Sequence, residues 1–326
     1  MSTSILPRRS TATKKWSTFV HDKQTVRVSD GRRARSGHCD GSDEYAVCCM
    51  QTHKWDEVVR GGMAEDGPRT LTTVERTCRL LDTLKELEGA GVSELADHLG
   101  MSKGGVYNHL ATLHEHQFVV RTDEGYELGA KLFNVGQFVK HRSRLYNVAK
   151  SEVEKLAEET GECAHLMVEQ FGRGIYYHKA IGGEGIAQEY HIELLEEPDH
   201  LHWSSSGKAL LAELPEERVR EIAAEHGLPR MTDHTITDVD ELLGELAEVR
   251  EQGYAQNDEE QIRGARAVGS AVTHRDEVLG SISVSGPTSR IDDEKFHETY
   301  PRLVTQLTNV IEVTLETRDG QARPEL

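Results

Sequence analysis

The sequence predicts an α+β protein with a small N-terminal domain and a larger C-terminal domain, and three observations support this prediction. Around residue 100, two short amphipathic segments meet at a glycine, as in a helix-turn-helix. A β-prone hairpin at residues 118–129 follows the second segment. Beyond residue 160, two more hairpins alternate with helical segments, which is typical of helices packed on an antiparallel sheet. Three helices followed by a hairpin make a winged helix-turn-helix, so the N-terminal domain is predicted to bind double-stranded DNA.

The helix-turn-helix is predicted at SELADHLGMSKGGVYNHLATL, residues 93–113. Ser93 is expected to cap the first helix, and Gly100 to end it in the left-handed conformation that glycine adopts easily. Ser102 then begins the second helix. An inward stripe along that helix, at i, i+4 and i+7, is formed by Val106, Leu110 and Leu113.

The first turn and the outward side of the second helix carry small, cationic and hydrogen-bonding groups, which suit the major groove of DNA. The wing adds Arg121, which is placed to reach a phosphate or the minor groove, although a solvated surface arginine is the alternative. The candidate DNA-binding residues are Ser102, Lys103, Gly104, Gly105, Tyr107, Asn108, His109 and Arg121.

The first helix of this domain is predicted at residues 72–87, with Thr72 or Thr73 as its cap. Val74, Cys78, Leu81 and Leu84 to Leu87 recur at helical spacing and are expected to face the core. Cys78 is therefore predicted to be a buried thiol and not a redox sensor.

A connecting helix is predicted at residues 130–160, with one interruption near residues 142–144. Its first half is unusually apolar for a connector, since it carries Leu132, Phe133, Val135, Phe138 and Val139. An apolar helix face of this size needs a cover. We expect it to pack against the same helix of a second copy of the chain.

The C-terminal domain is predicted from hairpins at residues 164–181 and 267–285 and from helices at 206–213, 215–225, 239–251 and 292–316. In the second hairpin, strand alternation puts Ser281, Ser283 and Ser285 on one face, and Ile282 and Val284 on the other. The serine face is expected to line a cavity, and the other face to pack in the core.

These segments predict a winged helix-turn-helix domain at residues 68–130, a linker helix at 131–145 and a C-terminal domain at 146–320. Residues 1–62 lack helical or strand periodicity and are expected to be disordered, or to precede a natural start at Met63. A basic arm that grips DNA phosphates is the alternative.

The chain is strongly acidic, with a formal net charge of −18 over 326 residues. The first 62 residues carry 11 Lys and Arg against 7 Asp and Glu, whereas the rest carry 27 against 49. This acidity is unusual for a DNA-binding protein, because phosphate contacts normally come from Lys and Arg. It is typical of proteins from salt-loving organisms, in which multimolar salt screens the repulsion between acidic side chains. An ordinary acidic cytoplasmic protein is the alternative.

The sequence predicts neither a membrane span nor a secretory signal, so a cytoplasmic protein is expected. The five cysteines form no regular framework, which argues against a disulfide scaffold. No metal site or cofactor is predicted, because the spacing of the N-terminal candidates contains no C-x₂-C pair. Those candidates are His38, Cys39, Cys48, Cys49 and His53.

The order of motifs resembles that of the IclR family of transcriptional regulators. The resemblance covers roughly residues 72–291 and rests on TVERTCRLLDTL, ELADHLGMSKGGVYNHLATL, YELGAKLFNVG, HWSSSGKALLAELP, EVREQGYAQNDEEQIRGARAVGSAV and VLGSISVSGPTSRI. It implies a winged helix-turn-helix, a linker helix and a GAF-like C-terminal domain that binds a small, often carboxylate-bearing effector. It also implies homodimers or homotetramers that bind palindromic operators.

The positions that match the family's effector site are Ser204, Ser205, Ser206, Asn257, Ser283 and Ser285. Hydroxyl groups and free backbone N–H groups at the start of a helix suit an anion, which the helix dipole also favours. The alternative is that Ser204 merely caps a helix and that the strand serines face solvent. Asp258 and Glu259, which follow Asn257, are expected to be structural.

The sequence departs from the family pattern at two places. The recognition helix of family members commonly reads Lys-Ser-Thr-x-x-Arg, whereas here Gly104, Gly105 and Asn108 follow Lys103. Asn108 can form two hydrogen bonds to an adenine edge, so a different operator preference is expected. Glycines also let backbone N–H groups approach phosphate closely. In the effector site, Asn257 replaces the family's acidic residue.

Two other functional classes have partial support in the sequence. A hydrolase is disfavoured because no G-x-S-x-G elbow is present, and Cys163 with His165 on one strand lacks a third, orienting group. No catalytic residue is therefore predicted. A DNA-bound assembly protein, whose C-terminal domain oligomerises and senses nothing, remains the alternative to a regulator.

Overall fold

The computed structural model describes residues 69–183 and 198–321, with side chains described up to residue 318. Residues 1–62 lie outside the described residues. The predictions of a disordered segment or a basic arm, and of no zinc site among its cysteines and histidines, concern this part of the chain.

The N-terminal part consists of three helices and a hairpin around one hydrophobic core, as predicted for a winged helix-turn-helix. The fully buried members of this core include Leu80, Leu95, Val106 and Leu110. Its elements are α1 (Thr72–Glu86), α2 (Val92–Leu99), α3 (Lys103–Glu115), β1 (Val119–Arg121) and β2 (Tyr126–Leu128).

Helix α1 follows the predicted stripe in its second half, where Leu84 is buried and Leu81 and Leu87 pack against the core, but not in its first half. Its buried residues are Leu80, Thr83 and Leu84, whereas Val74 is 55% exposed and Cys78 is exposed. The prediction of a buried Cys78 thiol is wrong, because the buried residues lie in the second half of the helix. The predicted threonine caps are wrong as well, since Leu71 occupies the N-cap and makes no side-chain cap bond.

Helix α2 begins two residues earlier than a Ser93 cap requires. Gly91 is the N-cap residue, so Ser93 lies within the first turn. Ala90, just before it, exchanges two backbone hydrogen bonds of 3.0 Å with Tyr126 of the wing, and this pairing fixes where the chain can turn into the helix. The end of α2 follows the prediction, with Gly100 in the left-handed conformation at φ 62°.

Two consecutive helices, α4 (Lys131–Arg142) and α5 (Arg144–Thr160), follow the wing, and the break between them lies where it was predicted. Ser143 caps α5 by accepting a hydrogen bond from the Tyr146 amide at 3.2 Å. Helix α4 has no buried residue, whereas α5 buries an apolar stripe that includes Val153 and Leu156.

The C-terminal part is built on an antiparallel sheet, which is six-stranded over the described residues and ordered β5-β4-β3-β8-β7-β6. Both predicted hairpins are present, with positive φ at Phe171 and Gly172 in one turn and at Arg275 and Asp276 in the other. Strands β5 and β6 were not predicted. The strands are β3 (Cys163–Gln170), β4 (Arg173–Ile181), β5 (Asp199–His200), β6 (Ala255–Asp258), β7 (Ala265–His274) and β8 (Glu277–Pro287).

Helices cover both faces of this sheet. Helix α5 and the last helix, α9 (Tyr300–Gln321), share one core with Ile282 and Val284, which follows the predicted strand alternation. On the other face, α6 (Ser205–Ala212) lies on the strands, and α7 (Glu216–His226) and α8 (Val239–Gln252) complete a second core.

The last helix is less regular than predicted, because a π-helical turn at Lys295–Thr299 precedes α9. Pro301 follows this turn and has no N–H to donate to a carbonyl one turn earlier, so the regular ladder is interrupted there. None of the helices in the described ranges is long and apolar enough to cross a membrane.

Candidate DNA-binding surface and effector site

The outward face of α3 carries four of the predicted DNA-binding residues. Lys103, Gly104, Tyr107 and Asn108 are all exposed, and their i, i+1, i+4 and i+5 spacing puts them on one side of the helix. A side chain at Gly104 would meet nothing within 4 Å. The opposite side of α3 is anchored by Val106, Leu110 and Leu113, which are all buried as predicted.

Three other predicted residues are engaged within the domain. Ser102 caps α3, because its Oγ accepts a hydrogen bond from the Gly105 amide at 3.1 Å, so that amide is already used. The Nδ1 atom of His109 lies 2.8 Å from Oγ1 of Thr77 on α1, and His109 is half-buried. The expectation that His109 faces outward is therefore wrong.

The wing presents Arg121 as an exposed residue at the end of β1. The adjoining turn closes through a 2.9 Å hydrogen bond from the Thr122 amide to the Gly125 carbonyl. A Cβ at Gly125 would lie 2.5 Å from the carbonyl oxygen of Ala90, and its φ is +156°, so glycine is required there. The geometry leaves Arg121 open to a partner.

The candidate effector site is built around the first turn of α6, which lies on the serine face of β8. Ser206 donates a hydrogen bond from its Oγ to Oγ of Ser283 at 2.7 Å, and Ser281 donates from its Oγ to the carbonyl of Ser206 at 3.0 Å. Both strand serines are buried. The expectation that the whole serine face lines a cavity is thus wrong, because Ser281 and Ser283 bind the helix.

Two glycines make this close helix-to-sheet contact possible. A Cβ at Gly207 would lie 2.2 Å from the carbonyl oxygen of Leu201, and one at Gly269 would lie 3.0 Å from the backbone of Ser205. Real Cβ atoms do not approach as closely as 2.2 Å, so a larger residue at Gly207 would displace α6, whereas one at Gly269 would require a shift of a few tenths of an ångström.

Ser204 and Asn257 both have structural partners. Ser204 caps α6 by accepting a hydrogen bond from the Gly207 amide at 3.1 Å, as the alternative interpretation of this serine predicts. Asn257 donates from Nδ2 to the Trp203 carbonyl at 2.6 Å and accepts at Oδ1 from the Glu260 amide at 3.0 Å. Within the described ranges, hydrogen bonds do not occupy the hydroxyls of Ser205 and Ser285.

The strand register brings further polar residues to this face of the sheet. Cys163 pairs with Ser285, His165 pairs with Ser283, and Lys179 pairs with His165. The sequence predicts that Cys163 and His165 lie on one strand face. It does not predict that Lys179 lies on the same face, because only the register between β3 and β4 places that lysine there.

Burial controls the charge of these three groups. It lowers the pKa of His165 to about 3, with a further contribution from the nearby Lys179 ammonium. It also raises the pKa of the Cys163 thiol. The pKa of Lys179 falls to about 8, again mainly through burial. At pH 7 the imidazole and the thiol are therefore neutral, and the lysine is cationic.

A cluster of one buried lysine and two glutamates joins α6 to α8 and to the segment after β6. Lys208 is fully buried and contacts Oε1 of Glu245 and, at 2.6 Å, Oε1 of Glu260. Burial raises the pKa of Glu260 to about 7 although Lys208 opposes the shift. Asp258 and Glu259 are structural as expected, since the first binds Arg266 and the second accepts from the Gly264 amide.

The loop before α6 is held by Asp199. This carboxylate accepts hydrogen bonds from Trp203 Nε1 at 2.6 Å, Gln261 Nε2 at 3.0 Å and the Tyr176 hydroxyl at 3.1 Å. Burial raises the pKa of Asp199 to about 6 despite these donors. Among the described residues, no group of three or more His, Cys, Asp or Glu could hold a metal ion.

Comparisons with known proteins agree with both parts of this arrangement. Residues 73–123 match the IclR helix-turn-helix domain, and residues 137–311 match the C-terminal domain of bacterial IclR transcriptional regulators. A probable HTH-type transcriptional regulator ArcR from Halobacterium salinarum is 36% identical over 252 residues, which cover 77% of this chain and 96% of that protein. The regulator KdgR from Dickeya chrysanthemi is 31% identical, over 74% of this chain and 80% of its own length.

Solved structures show the same fold. The IclR protein of Thermotoga maritima superposes with a TM-score of 0.61 at 28% identity, over 76% of this chain and 99% of its own. An IclR homologue from Microbacterium hydrocarbonoxydans, crystallised with 4-hydroxybenzoate, gives a TM-score of 0.65 at 19% identity, over 75% of this chain and 99% of its own.

A winged helix-turn-helix with an exposed recognition face, followed by an α+β domain, defines a DNA-binding transcription regulator with a C-terminal effector-binding domain. Both family models match, and together they span both parts of the fold. The chain belongs to the IclR family.

Proposed function

We propose that the chain binds palindromic operators as a homodimer or homotetramer, and that a carboxylate-bearing effector in the C-terminal domain sets its affinity for DNA. The observation that supports the DNA half of this proposal is the exposed face of α3. It combines a cation, Lys103, with an amide, Asn108, on a helix whose other side is buried.

In the proposed complex, the amide residue and the cationic residues have different roles. Asn108 reads a base edge, and an adenine offers it two hydrogen bonds in the major groove. Lys103 and Arg121 contact phosphates, which positions the protein but carries no sequence information. Tyr107 and Gly104 lie beside Asn108 and set how closely the helix approaches the bases.

The effector is proposed to bind beside the first turn of α6. The hydroxyls of Ser205 and Ser285, together with the backbone N–H groups at the start of the helix, offer donors to an anion. The structure of the Microbacterium homologue contains 4-hydroxybenzoate, which is a carboxylate. Ser204, Ser206, Ser283 and Asn257 are proposed to shape the site through their bonds to one another.

Helix α4 is the proposed dimer contact and the route by which the effector acts. Phe133 is 67% exposed and Phe138 62% exposed, and both lie on a helix with no buried residue. Two copies of α4 packed together would set the separation of the recognition helices near one DNA turn, about 34 Å. An effector that favours one packing of α4 changes this separation and hence the affinity.

We infer further that the chain acts by binding and carries no catalytic residue. The relatives named above are transcriptional regulators. His202 lies near the serines of α6, but its Nε2 contacts the Pro229 carbonyl at 3.0 Å. Ser204 and Ser206 are used in a helix cap and in the bond to Ser283. This arrangement does not pair a serine nucleophile with a base.

The experiment compares Asn108→Ala with Lys103→Ala on DNA fragments that the wild-type protein selects. Asn108→Ala is expected to relax the preference at one base of each half-site, by about 1–3 kcal/mol. Lys103→Ala is expected to weaken binding to all fragments alike and to lower its salt dependence. If Asn108→Ala selected the same fragments with the same base preferences, the assignment of α3 as the reading helix would be wrong.

A further inference from the structure

We propose that His109 is a positioning residue for DNA reading: its hydrogen bond to Thr77 on α1 fixes the rotation of α3 and thereby aims Asn108 at a base. This inference rests on the proposed function, because it assumes that Asn108 reads a base edge. It adds the contact that holds the reading helix in a fixed orientation.

The direction of the bond between His109 and Thr77 follows from a second bond of Thr77. Oγ1 of Thr77 donates its proton to the Thr73 carbonyl at 2.9 Å, and a hydroxyl group has only one proton to give. Towards Nδ1 of His109, at 2.8 Å, the same oxygen can therefore only accept. The geometry thus assigns a proton to Nδ1, which one neutral tautomer and the imidazolium both provide.

This bond bridges two helices that share a core but whose backbones stay apart. The backbones of α1 and α3 approach each other less closely than either approaches α2. Both helices contribute apolar side chains to the core, including Leu84 of α1 and Leu110 of α3. Apolar packing is non-directional, so it resists separation of the helices more than a small rotation of one of them. A hydrogen bond needs a defined distance and angle, so it resists the rotation.

His109 is placed to control where Asn108 points. The two residues are adjacent, and their side chains leave the helix about 100° apart. His109 is half-buried and contacts α1, whereas Asn108 is exposed. A rotation of α3 by about 20° would move a group roughly 6 Å from the helix axis by about 2 Å. Hydrogen bonds do not tolerate such a displacement, so Asn108 would lose the pair of bonds that distinguishes adenine.

A direct contact between the His109 imidazole and DNA is the competing interpretation. His109 lies beside the exposed face of α3 and not on it, which favours the positioning role. The two interpretations also make different predictions for Thr77. A direct contact needs only the imidazole, whereas the positioning role needs the half-buried Thr77 hydroxyl as well.

The test determines base preference by selecting binding sequences from a randomised DNA library with the full chain in multimolar KCl. His109→Leu and Thr77→Val each remove one partner of the bond and put a side chain of similar size in its place. Each is expected to reduce the preference at the base read by Asn108 about tenfold, while affinity for unselected duplex changes less than about twofold. Because both substitutions break the same bond, the double variant is expected to lose no more than either single variant.

Conservative substitutions keep the bond. The Nδ2 atom of an asparagine lies where Nδ1 of a histidine does, so His109→Asn can donate to Thr77, and Thr77→Ser keeps the accepting hydroxyl. Both variants are expected to retain the wild-type base preference. Loss of packing alone would predict the opposite order, because both new side chains are smaller than those they replace.

Matched controls remove similar groups from the same two helices. Thr83→Val deletes a hydroxyl of α1 that donates to the Arg79 carbonyl at 2.9 Å, as Thr77 does to its own helix. His114→Leu deletes an exposed imidazole from the last turn of α3. Both are expected to leave base preference unchanged. Circular dichroism in the assay buffer confirms folding, and His109→Gln or Thr77→Ala replaces a variant that does not fold.

The outcomes separate this inference from the proposed function, with Asn108→Ala included in the same selection. The positioning role would be overturned if His109→Leu and Thr77→Val both kept the base preference, or if only His109→Leu lost it, which would indicate a direct contact. An equal loss of affinity for all duplexes would overturn it as well, since a destabilised domain has that effect. In each case, a relaxed preference in Asn108→Ala would leave DNA reading by α3 standing. If Asn108→Ala kept the wild-type preference, the proposed role of Asn108 would be wrong, and the inference with it.

Discussion

Glu260 is a single residue that joins three segments of the C-terminal part. Its Oε1 binds Lys208 of α6, its amide donates to Asn257, and its carbonyl accepts from Thr235 at 2.6 Å. Its other carboxylate oxygen, Oε2, is buried and has no hydrogen-bond partner among the described residues. Burial therefore penalises the charged form more than Lys208 rewards it, which raises the pKa to about 7.

This pKa predicts how stability depends on pH. Because the pKa of Glu260 is higher in the folded state than in the unfolded chain, the folded protein binds more protons between about pH 4.5 and 7. The stability that Glu260 contributes is therefore greatest at low pH and falls as the pH rises through this window. In Glu260→Gln this dependence is absent.

The measurement is the free energy of unfolding of the wild type minus that of Glu260→Gln, from denaturant titrations at pH 5 and pH 8. The difference is expected to decrease by roughly 2–3 kcal/mol between these pH values. Glu248→Gln, which removes one exposed carboxylate from α8, is the control for the loss of a negative charge. A constant difference for Glu260→Gln would show that the carboxylate is not perturbed.

Helix α6 depends on its close approach to the preceding loop. Gly207→Ala would put a Cβ 2.2 Å from the Leu201 carbonyl oxygen, so the helix must shift. We expect a loss of about 1–3 kcal/mol or more in the free energy of unfolding, measured by denaturant titration. Gly104→Ala on α3, where the added Cβ meets nothing within 4 Å, is the matched control and should not destabilise the protein. Equal stabilities of the two variants would contradict the packing described for α6.

Helix α4 is predicted to form the contact between copies of the chain. Replacing both Phe133 and Phe138 with serine should yield monomers, because each phenylalanine buries about 150–250 Å² when covered. Analytical ultracentrifugation of the full chain checks the association state. Val313→Ser, at a 65% exposed position on α9, serves as the control and should leave association unchanged. A double variant that associates like the wild type would exclude α4 as the contact.

Elements in which the apolar residues follow one dominant periodic spacing could be predicted from the sequence. Elements in which two such spacings compete could not. Helix α3 shows a single apolar stripe, and it is buried as predicted. Helix α1 offers two overlapping sets of apolar residues: Leu84 was predicted and is buried, but only the tertiary contacts choose Leu80 over Val74 and Cys78. Strand β6, AQND, carries polar residues without β propensity and forms because β7 offers a free edge.

The candidate site shows the same limit. The serines near α6 could be found from the sequence because they form a motif. The hydrogen bonds between these serines depend on which strand lies under the helix. The spacing of residues along the sequence does not show which strand that is. Lys179 was missed for the same reason, since its place follows from pairing across three strands.

The whole molecule combines a DNA-binding fold with a formal net charge of −18. At low salt this charge repels the phosphates of DNA over long range. In multimolar salt the screening length falls to about 3 Å or less, so only direct contacts remain. A relative comes from Halobacterium salinarum, and the acidic composition suits such conditions. Binding of DNA by this chain is therefore expected to depend on the few residues that touch it, and assays belong at high salt.

The central claim is that this chain distinguishes one DNA sequence from another through α3. The most direct measurement is to incubate the full chain with fragments of its own genome in multimolar KCl and to sequence the fragments that it retains. We predict enrichment of a few fragments by about a thousandfold over bulk duplex, each with two half-sites about 10 base pairs apart. Retention of all fragments in equal proportion, or of none, would contradict the account.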